Sequence, residues 1–445
     1  MTKLASRRWP TQRLKFVASV MPSNVDKLTD PDHLPVRLCN YVDVYKNDRI
    51  SGDMEFMSAS ATPAQIARFA LRGGDVLITK DSETPDDIAV PAYVDSSATG
   101  VVCGYHLALL RPITNRMLGR YLFWAICSRP VSSAFSARAQ GITRFGLTVG
   151  AMGDVPIPLP PPAEQRAIAD FLDRETAKID ALIAAQERLI ALLDEKRQAT
   201  ITHAVTKGLD PNAPMKESGV EWMGTIPAQW PAVMLRFLLN YIEQGWSPEA
   251  EDRRAEPGEW AVLKSGCVNG GIFRQDEHKA LPSDLLPIEE LEVRPGDVIM
   301  SRASGSRALI GSVSYVEKCS AKLMLSDKLF RLRPRLNMIS PRYLAIVLGA
   351  QPCRAQIEQS ISGAEGLANN LTQATIKRLL ICLPSLVEQE IIMHHLDRVT
   401  AELDQLQFHG MKIIERLRER RTALITAAVT GQIDVTRQAI TETAK

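Results

Sequence analysis

Residues 164–210 read EQRAIADFLDRETAKIDALIAAQERLIALLDEKRQATITHAVTKGLD, and residues 388–434 read EQEIIMHHLDRVTAELDQLQFHGMKIIERLRERRTALITAAVTGQID. Aligned without a gap, the two stretches share 21 identical positions out of 47. About three identities would be expected by chance from average composition. The chain therefore contains an internal duplication, and its two copies lie 224 residues apart.

Both stretches carry apolar residues at helical spacing. Steps of three, four and seven place them on one face of an α-helix, while charged residues fill the other faces. Three prolines at 160–162 followed by Glu164 are typical of a helix start, and Lys207 followed by Gly208 is typical of a helix end. The predicted apolar seam consists of Ile168, Leu172, Ile179, Leu182, Leu189 and Leu193 in the first copy and Ile392, Leu396, Leu403, Leu406, Ile413 and Leu417 in the second.

A long helix with one apolar face needs a partner that covers this face. The other copy supplies a matching face, so the two helices are predicted to pair antiparallel. We predict these segments in chain order: a globular unit over 1–160, a long helix over 161–207, a connector and second globular unit over 208–384, a second long helix over 385–434 and a tail over 435–445.

Shorter motifs repeat outside the helices. Gly-Asp followed by a short apolar run occurs at 74–78 and at 296–300, and Arg-Tyr-Leu occurs at 120–122 and at 342–344. The first motif indicates a turn that leads into a buried strand, and the second lies in a predicted helix. Between the motifs the halves differ, so they share a scaffold and present different surfaces. We predict an α+β fold, in which two mixed α/β units are joined by two long antiparallel helices and the duplication gives pseudo-twofold symmetry.

Composition narrows the class of protein. Lys and Arg number 53 against 51 Asp and Glu, so any nucleic-acid surface must be a local arrangement of charge. The seven cysteines follow no metal-binding spacing, and their odd number fits a reducing cytosol. No stretch approaches the roughly 18 consecutive apolar residues of a transmembrane helix. We therefore expect a cytoplasmic protein with no membrane partner.

Several features together resemble the DNA specificity subunits of type I restriction–modification systems. They are Leu-Pro-Pro-Pro-Ala-Glu-Gln at 159–165, the Gly-Asp-Val strand of each half, Thr-Ala-Ala-Val-Thr-Gly at 426–431, and a connector with Glu-Trp at 221–222. The resemblance covers nearly the whole chain. It implies a non-catalytic subunit with two target-recognition domains, each of which reads half of a bipartite site in double-stranded DNA. It also implies that the helix pair sets the spacer and docks two modification (methyltransferase) subunits, which restriction–translocation subunits join.

Candidate DNA-contacting residues lie in the loops after the Gly-Asp strands and before the long helices. Lys and Arg would bind phosphates, while Arg, Asn and Gln would read base edges. For any one of them, a solvated surface charge or a turn residue is the more common role. The candidates are Lys80, Arg138, Gln140 and Arg144 in the first half and Arg302, Arg307, Asn369 and Asn370 in the second.

The sequence offers no convincing catalytic or metal site. His394 and His395 are adjacent on a helix and point in different directions, so a metal site is not expected. Glu-His-Lys at 277–279 has a loose nuclease-like spacing but no companion acidic strand. The phosphate loop Gly-x-x-x-x-Gly-Lys and the Asp/Asn-Pro-Pro-aromatic motif of amino-methyltransferases are missing. We expect this chain to bind no cofactor, and the resemblance assigns S-adenosylmethionine, ATP and Mg²⁺ to the partner subunits.

Two other classes of protein remain open. One is a structural adaptor, whose duplicated units bind proteins and whose coiled coil spaces them. The other is a nuclease or methyltransferase in its own right, against which the missing motifs argue. DNA binding by the purified chain would separate the adaptor from the DNA-reading subunit.

Overall fold

The computed structural model describes residues 9–220, 223–320, 322–361 and 370–435. The chain divides into two units, one formed by Met1–Glu187 with Met411–Lys445 and the other by Arg188–Gly410. Each unit therefore contains one globular part and a stretch of both long helices.

Unit 1 begins with a mixed α/β part. In chain order its elements are β1 Thr11–Arg13, β2 Ala18–Pro22, β3 Leu34–Cys39, α1 Tyr41–Lys46, β4 Arg49–Ile50, β5 Met57–Ala61, α2 Pro63–Phe69, β6 Val76–Thr79, β7 Asp81–Ser82, β8 Pro91–Val94, β9 Val101–Cys103, β10 Leu107–Pro112, α3 Gly119–Cys127, α4 Arg129–Ser136, β11 Phe145–Gly146, α5 Val149–Gly153 and β12 Pro156–Pro158. The first long helix, α6, follows at Pro162–Lys207.

The central sheet of unit 1 has the strand order β2-β10-β6-β8-β4 and is covered on both faces. Val76 and Ile78 belong to a core shared with α3 and the long helices, whereas Leu77 belongs to a core shared with the sheet β5-β3-β9. Successive side chains of a strand point to opposite faces, so β6 is buried at every position. This explains why its sequence is continuously apolar and does not alternate.

Unit 2 repeats this plan. Its elements are β13 Met215–Glu217, β14 Thr225–Pro227, β15 Ala232–Met234, β16 Leu239–Gln244, β17 Trp260–Leu263, β18 His278–Ala280, β19 Val298–Ser301, β20 Val313–Tyr315, β21 Lys322–Met324, β22 Leu329–Pro334, α7 Pro341–Gly349, α8 Gln351–Ile361, α9 Gln373–Arg378 and β23 Leu380–Cys382, followed by the second long helix, α10, at Leu386–Val429. The strand orders β16-β22-β19-β20 and β18-β17-β21 match those of unit 1, except that the larger sheet has four strands among the described residues and no counterpart of β4. The predicted internal duplication is confirmed.

Local signals explain where the long helices begin and end. Gly208 follows α6 with a φ of +76°, a left-handed conformation that glycine adopts without strain. At the start of α10, the Ser385 hydroxyl accepts a hydrogen bond from Glu388 N–H at 3.3 Å. The Glu388 carboxylate in turn accepts one from Ser385 N–H at 3.0 Å, which completes a capping box.

The two long helices run antiparallel within unit 1. Arg421 Nε donates to Asp180 at 2.9 Å, and Arg418 donates to Glu187 at 3.1 Å. Moving forward along α6 thus means moving backward along α10.

Unit 2 shows the same antiparallel pairing. Gln407 donates to Asp194 at 2.5 Å, and Arg197 forms an ion pair with Asp404. The Arg197–Asp404 pair is the duplicated counterpart of the Arg421–Asp180 pair, since both alignments shift by 224 residues. The predicted fold class, with its antiparallel long helices, is confirmed.

The seam prediction is wrong at four positions. Leu182, Leu189, Leu406 and Ile413 are 54%, 45%, 53% and 43% exposed, and Leu417 is half-buried. Periodicity marks the apolar side of a helix, but the partner helix covers only part of a wide apolar stripe. The other predicted seam residues are buried: Ile168, Leu172, Ile179, Leu193, Ile392, Leu396 and Leu403.

Candidate nucleic-acid interface

A Gly-Asp turn positions the central strand of each unit. Gly74 has a φ of +95°, and Asp75 behind it is 2% exposed. The Asp75 carboxylate accepts two hydrogen bonds from the Arg111 guanidinium, at 2.9 and 2.7 Å. In unit 2, Arg333 donates to Asp297 at 2.7 Å. These Arg–Asp contacts hold in place the turn from which each central strand begins.

Lys80, directly after β6, lies between two other segments of unit 1. Its N–H donates to the carbonyl of His106 at 3.0 Å, and its carbonyl accepts from Leu147 N–H at 2.9 Å. Because β10 pairs with β6 so that Leu107 faces Thr79, residue 106 falls opposite residue 80. The end of the central strand thus meets the start of its neighbour.

The second candidate loop of unit 1 reaches the same place. Strand β11 pairs with β7, which places Gly146 opposite Asp81. Gln140 and Gly146 exchange backbone hydrogen bonds of 3.0 and 2.8 Å, which close the exposed loop 141–144. The structure therefore brings together two loops that are about 60 residues apart in the chain.

The four unit 1 candidates differ in exposure. The Lys80 side chain is 14% exposed, with its ammonium 2.9 Å from the Asp81 carboxylate. Arg138 is half-buried and donates to the carbonyl of Ala134 at 2.8 Å, at the end of α4. Gln140 and Arg144 are exposed.

Sequence reasoning missed three residues here. We call Lys80, Asp81, Tyr105 and His106 the strand-end cluster. His106 Nδ1 lies 2.9 Å from Asp81 Oδ2, and the Lys80 ammonium lies 4.5 Å from the centroid of the Tyr105 ring. Tyr105 is 49% exposed, and its ring meets the His106 ring edge-on at 4.9 Å. The available signal was an aromatic-histidine pair directly before the apolar strand β10.

Unit 2 holds different side chains on the same backbone frame. Arg302 N–H donates to the carbonyl of Lys328 at 2.8 Å, and its carbonyl accepts from Leu371 N–H at 2.8 Å. Ala303 and Asn370 form an isolated antiparallel bridge. Position 302 is thus the counterpart of position 80, and position 328 is the counterpart of position 106.

The unit 2 candidates are also distributed unevenly. Arg302 is half-buried and donates to the carbonyl of Asp327 at 3.2 Å. Arg307 is exposed and donates to the carbonyl of Glu358 at 3.4 Å. Asn370 is exposed, and Asn369 lies outside the described residues. Lys328 is exposed. Like His106, it was missed because only the pairing of neighbouring strands brings it beside the end of the central strand.

The two histidine-containing motifs differ in exposure and in hydrogen bonding. His278 is 8% exposed, and its Nε2 accepts from Ala255 N–H at 3.1 Å while Nδ1 lies 2.6 Å from the carbonyl of Gln275. Both ring nitrogens are therefore used within the fold. His394 is exposed and His395 half-buried. In the described part of the chain, no group of three or more His, Cys, Asp and Glu side chains is placed to hold a metal ion.

None of the helices in the described part of the chain combines the length and the apolar character needed to cross a bilayer.

Comparison with known proteins gives matches over both halves of the chain. The model of the type I restriction modification DNA specificity domain matches residues 37–190 and 236–409. The chain is similar to the EcoEI specificity subunit of Escherichia coli, with 30% identity over 184 residues, which are 41% of this chain and 31% of that protein. It is similar to the EcoKI specificity subunit of Escherichia coli (strain K12), with 24% identity over 281 residues, which are 62% of this chain and 57% of that protein. The matched part therefore spans less than two thirds of either relative.

One solved structure, of a type I R-M system, contains a chain with a similar fold. The TM-score is 0.69 at 18% sequence identity, and the match covers 97% of this chain and 100% of that chain. At 18% sequence identity, this similarity is evidence for a shared fold alone.

Proposed function

Because the chain belongs to the family of type I restriction–modification DNA specificity proteins, we propose that it is the DNA-reading subunit of such a complex. Each unit reads one half of a bipartite site in double-stranded DNA. The chain itself performs no chemistry, and methylation, ATP hydrolysis and cleavage belong to the partner subunits.

The observation that carries this proposal is the shared frame with unlike side chains. Positions 80 and 302 make the same two backbone hydrogen bonds, yet one carries Lys and the other Arg. Positions 106 and 328 likewise carry His and Lys. Two readers of different half-sites need a constant frame with variable contacts, and the two units provide this combination.

Exposed apolar side chains on the long helices support docking of two modification subunits. Unit 1 exposes Leu182 on α6 and Ile413 on α10, and unit 2 exposes Leu406 on α10 and Leu189 on α6. Leu182 and Leu406 are duplicated counterparts, as are Leu189 and Ile413. Each unit thus repeats the same two exposed apolar side chains, and this repetition supports a partner that docks once on each unit. Restriction–translocation subunits join the resulting core.

The same proposal assigns the remaining roles. The helix pair sets the spacer between the half-sites, since both readers are attached to it. S-adenosylmethionine, ATP and Mg²⁺ bind to the partner subunits, and the chain works in the cytoplasm where it reaches the chromosome.

Mapping of N6-methyladenine in the genome of the source cell, with and without this gene, tests the proposal. We expect one bipartite methylated motif to disappear when the gene is deleted and to return on complementation. Unchanged methylation after deletion, in a cell whose modification gene is active, would contradict the proposal. Failure of the purified chain and its complex to bind duplex DNA would favour the protein adaptor.

A further inference from the structure

His106 is held in one orientation by its neighbours. Its Nδ1 lies 2.9 Å from Asp81 Oδ2, and the Lys80 ammonium lies 2.9 Å from the same oxygen. The Tyr105 ring packs edge-on against the imidazole, and the two ring centroids are 4.9 Å apart. The His106 side chain nevertheless remains 41% exposed. A partly exposed polar ring that is fixed on its inner side is suited to contact a ligand with its outer side.

The partner of Nδ1 determines which nitrogen of His106 carries the proton. Burial raises the pKa of Asp81, but hydrogen bonds from His106 and Lys80 outweigh burial and hold this pKa below its ordinary value. An ionised carboxylate only accepts hydrogen bonds, so Nδ1 must be the donor. In neutral imidazole the lone pair is then on Nε2, which has no hydrogen-bond partner among the described residues. In its neutral form, His106 therefore presents a hydrogen-bond acceptor to the surface.

We propose that His106 reads a base edge in the half-site of unit 1, by accepting at Nε2 a hydrogen bond from the exocyclic amine of adenine or cytosine in the major groove. This inference rests on the proposed function. The amines of adenine N6 and cytosine N4 are the hydrogen-bond donors of the major groove, so an acceptor at this position discriminates them from guanine and thymine. Asp81 and Lys80 are positioning residues for this contact, because the Asp81 carboxylate lies 2.9 Å from both His106 Nδ1 and the Lys80 ammonium.

The counterpart in unit 2 has the opposite hydrogen-bonding character. Lys328, on the equivalent backbone position, carries an ammonium that only donates. A donor at this position pairs with guanine O6 or thymine O4, the acceptors that occupy the place of the adenine and cytosine amines. The same backbone position thus presents an acceptor in unit 1 and a donor in unit 2. His106→Lys therefore tests whether the preferred base follows the hydrogen-bonding character of the side chain.

Selection from random duplex DNA tests the inference. The full chain, co-purified with its modification subunit, is used to enrich duplexes, which are then sequenced. Wild type is expected to require adenine or cytosine at one position of one half-site. His106→Ala should reduce the preference at this position on the order of ten-fold, the loss of one base-edge hydrogen bond. The other half-site and the spacer should not change.

Two further variants sharpen the result. His106→Lys should shift the preference at this position to guanine or thymine. His33→Ala removes a histidine of similar exposure, 35% for its side chain, from a turn of the same unit outside the strand-end cluster, and should leave the motif unchanged. Thermal unfolding of each variant reports whether the fold is intact.

The outcomes separate the two levels of the proposal. If wild type enriches no bipartite motif, the proposed function itself fails. If wild type does so and His106→Ala keeps the same base preference, or weakens binding to all duplexes equally, the inference about His106 is overturned. If His106→Ala does not fold, His106→Lys decides alone, because retention of the adenine or cytosine preference overturns the inference.

Discussion

Replacement of Gln165 by alanine should strongly destabilise unit 1. Gln165, in the first turn of α6, is 1% exposed and makes three hydrogen bonds with its side-chain amide. Its oxygen accepts from Leu118 N–H at 2.8 Å, and its nitrogen donates to the carbonyls of Arg116 and Pro160 at 2.9 and 3.0 Å. The amide thus joins the start of the long helix to the segment that leads into α3.

The size of the effect follows from these contacts. Gln165→Ala leaves one N–H and two carbonyls without their partner, at a net value of about 1 kcal/mol per hydrogen bond, so we expect a loss of about 3 kcal/mol in the free energy of unfolding. For a unit of this size, each kcal/mol lowers Tm by about 2–4 °C, so Tm should fall by roughly 6–12 °C. Gln389 is 0% exposed and makes the corresponding three bonds in unit 2, so Gln389→Ala should have a similar effect.

Urea unfolding monitored by circular dichroism, together with calorimetry, measures both quantities. Gln198→Ala is the matched control, because Gln198 is an exposed glutamine within the same helix. This control should change the free energy of unfolding by less than about 0.5 kcal/mol, as is usual for surface substitutions. If Gln165→Ala were no more destabilising than Gln198→Ala, the bridging role of the buried amide would be refuted.

Three further predictions concern the helices and the activity. Leu193→Asp should cost several kcal/mol of stability by burying a charge, while Leu182→Asp should leave stability nearly unchanged and weaken capture of the modification subunit in a pull-down; equal unfolding curves for both variants would contradict this difference. The isolated chain should show no methyltransferase, nuclease or ATPase activity, and turnover that co-purifies with the chain through every column would disprove this. Insertion of one heptad into both helices, within 186–189 and within 410–413, adds about 10 Å of helix and should favour a spacer longer by about three base pairs in the methylated motif; selection of the original spacer by an assembled complex would show that other subunits set it.

Much of the scaffold could be predicted from the sequence, because the duplication provides each signal twice. The Gly-Asp turns lead into buried strands as expected, since a continuous apolar run indicates a strand covered on both faces. The exposed Leu182 and Leu189 could not be distinguished from buried seam positions. Both fit the helical period, and the period does not reveal how wide a stripe the partner helix covers.

The candidate interface was predictable only in part. Lys80 was identified because it directly follows a recognisable strand, and its counterpart Arg302 for the same reason. His106 and Lys328 lie 26 residues further along the chain, and only the antiparallel register between neighbouring strands brings them beside these positions. Strand register depends on which strands become neighbours, and a single sequence does not contain that information directly.

If each unit reads its own half-site, exchange of one unit should rewrite only one half of the recognised motif. Residues 9–146 would be replaced by the equivalent unit of another specificity subunit, with the long helices unaltered, and the methylated motif would be determined by sequencing DNA from cells that express the hybrid with its modification subunit. We expect one half of the motif to change to that of the donor, while the other half and the spacer stay as in the parent. A hybrid that assembles and methylates DNA but recognises two new half-sites, or retains both parental ones, would contradict the claim.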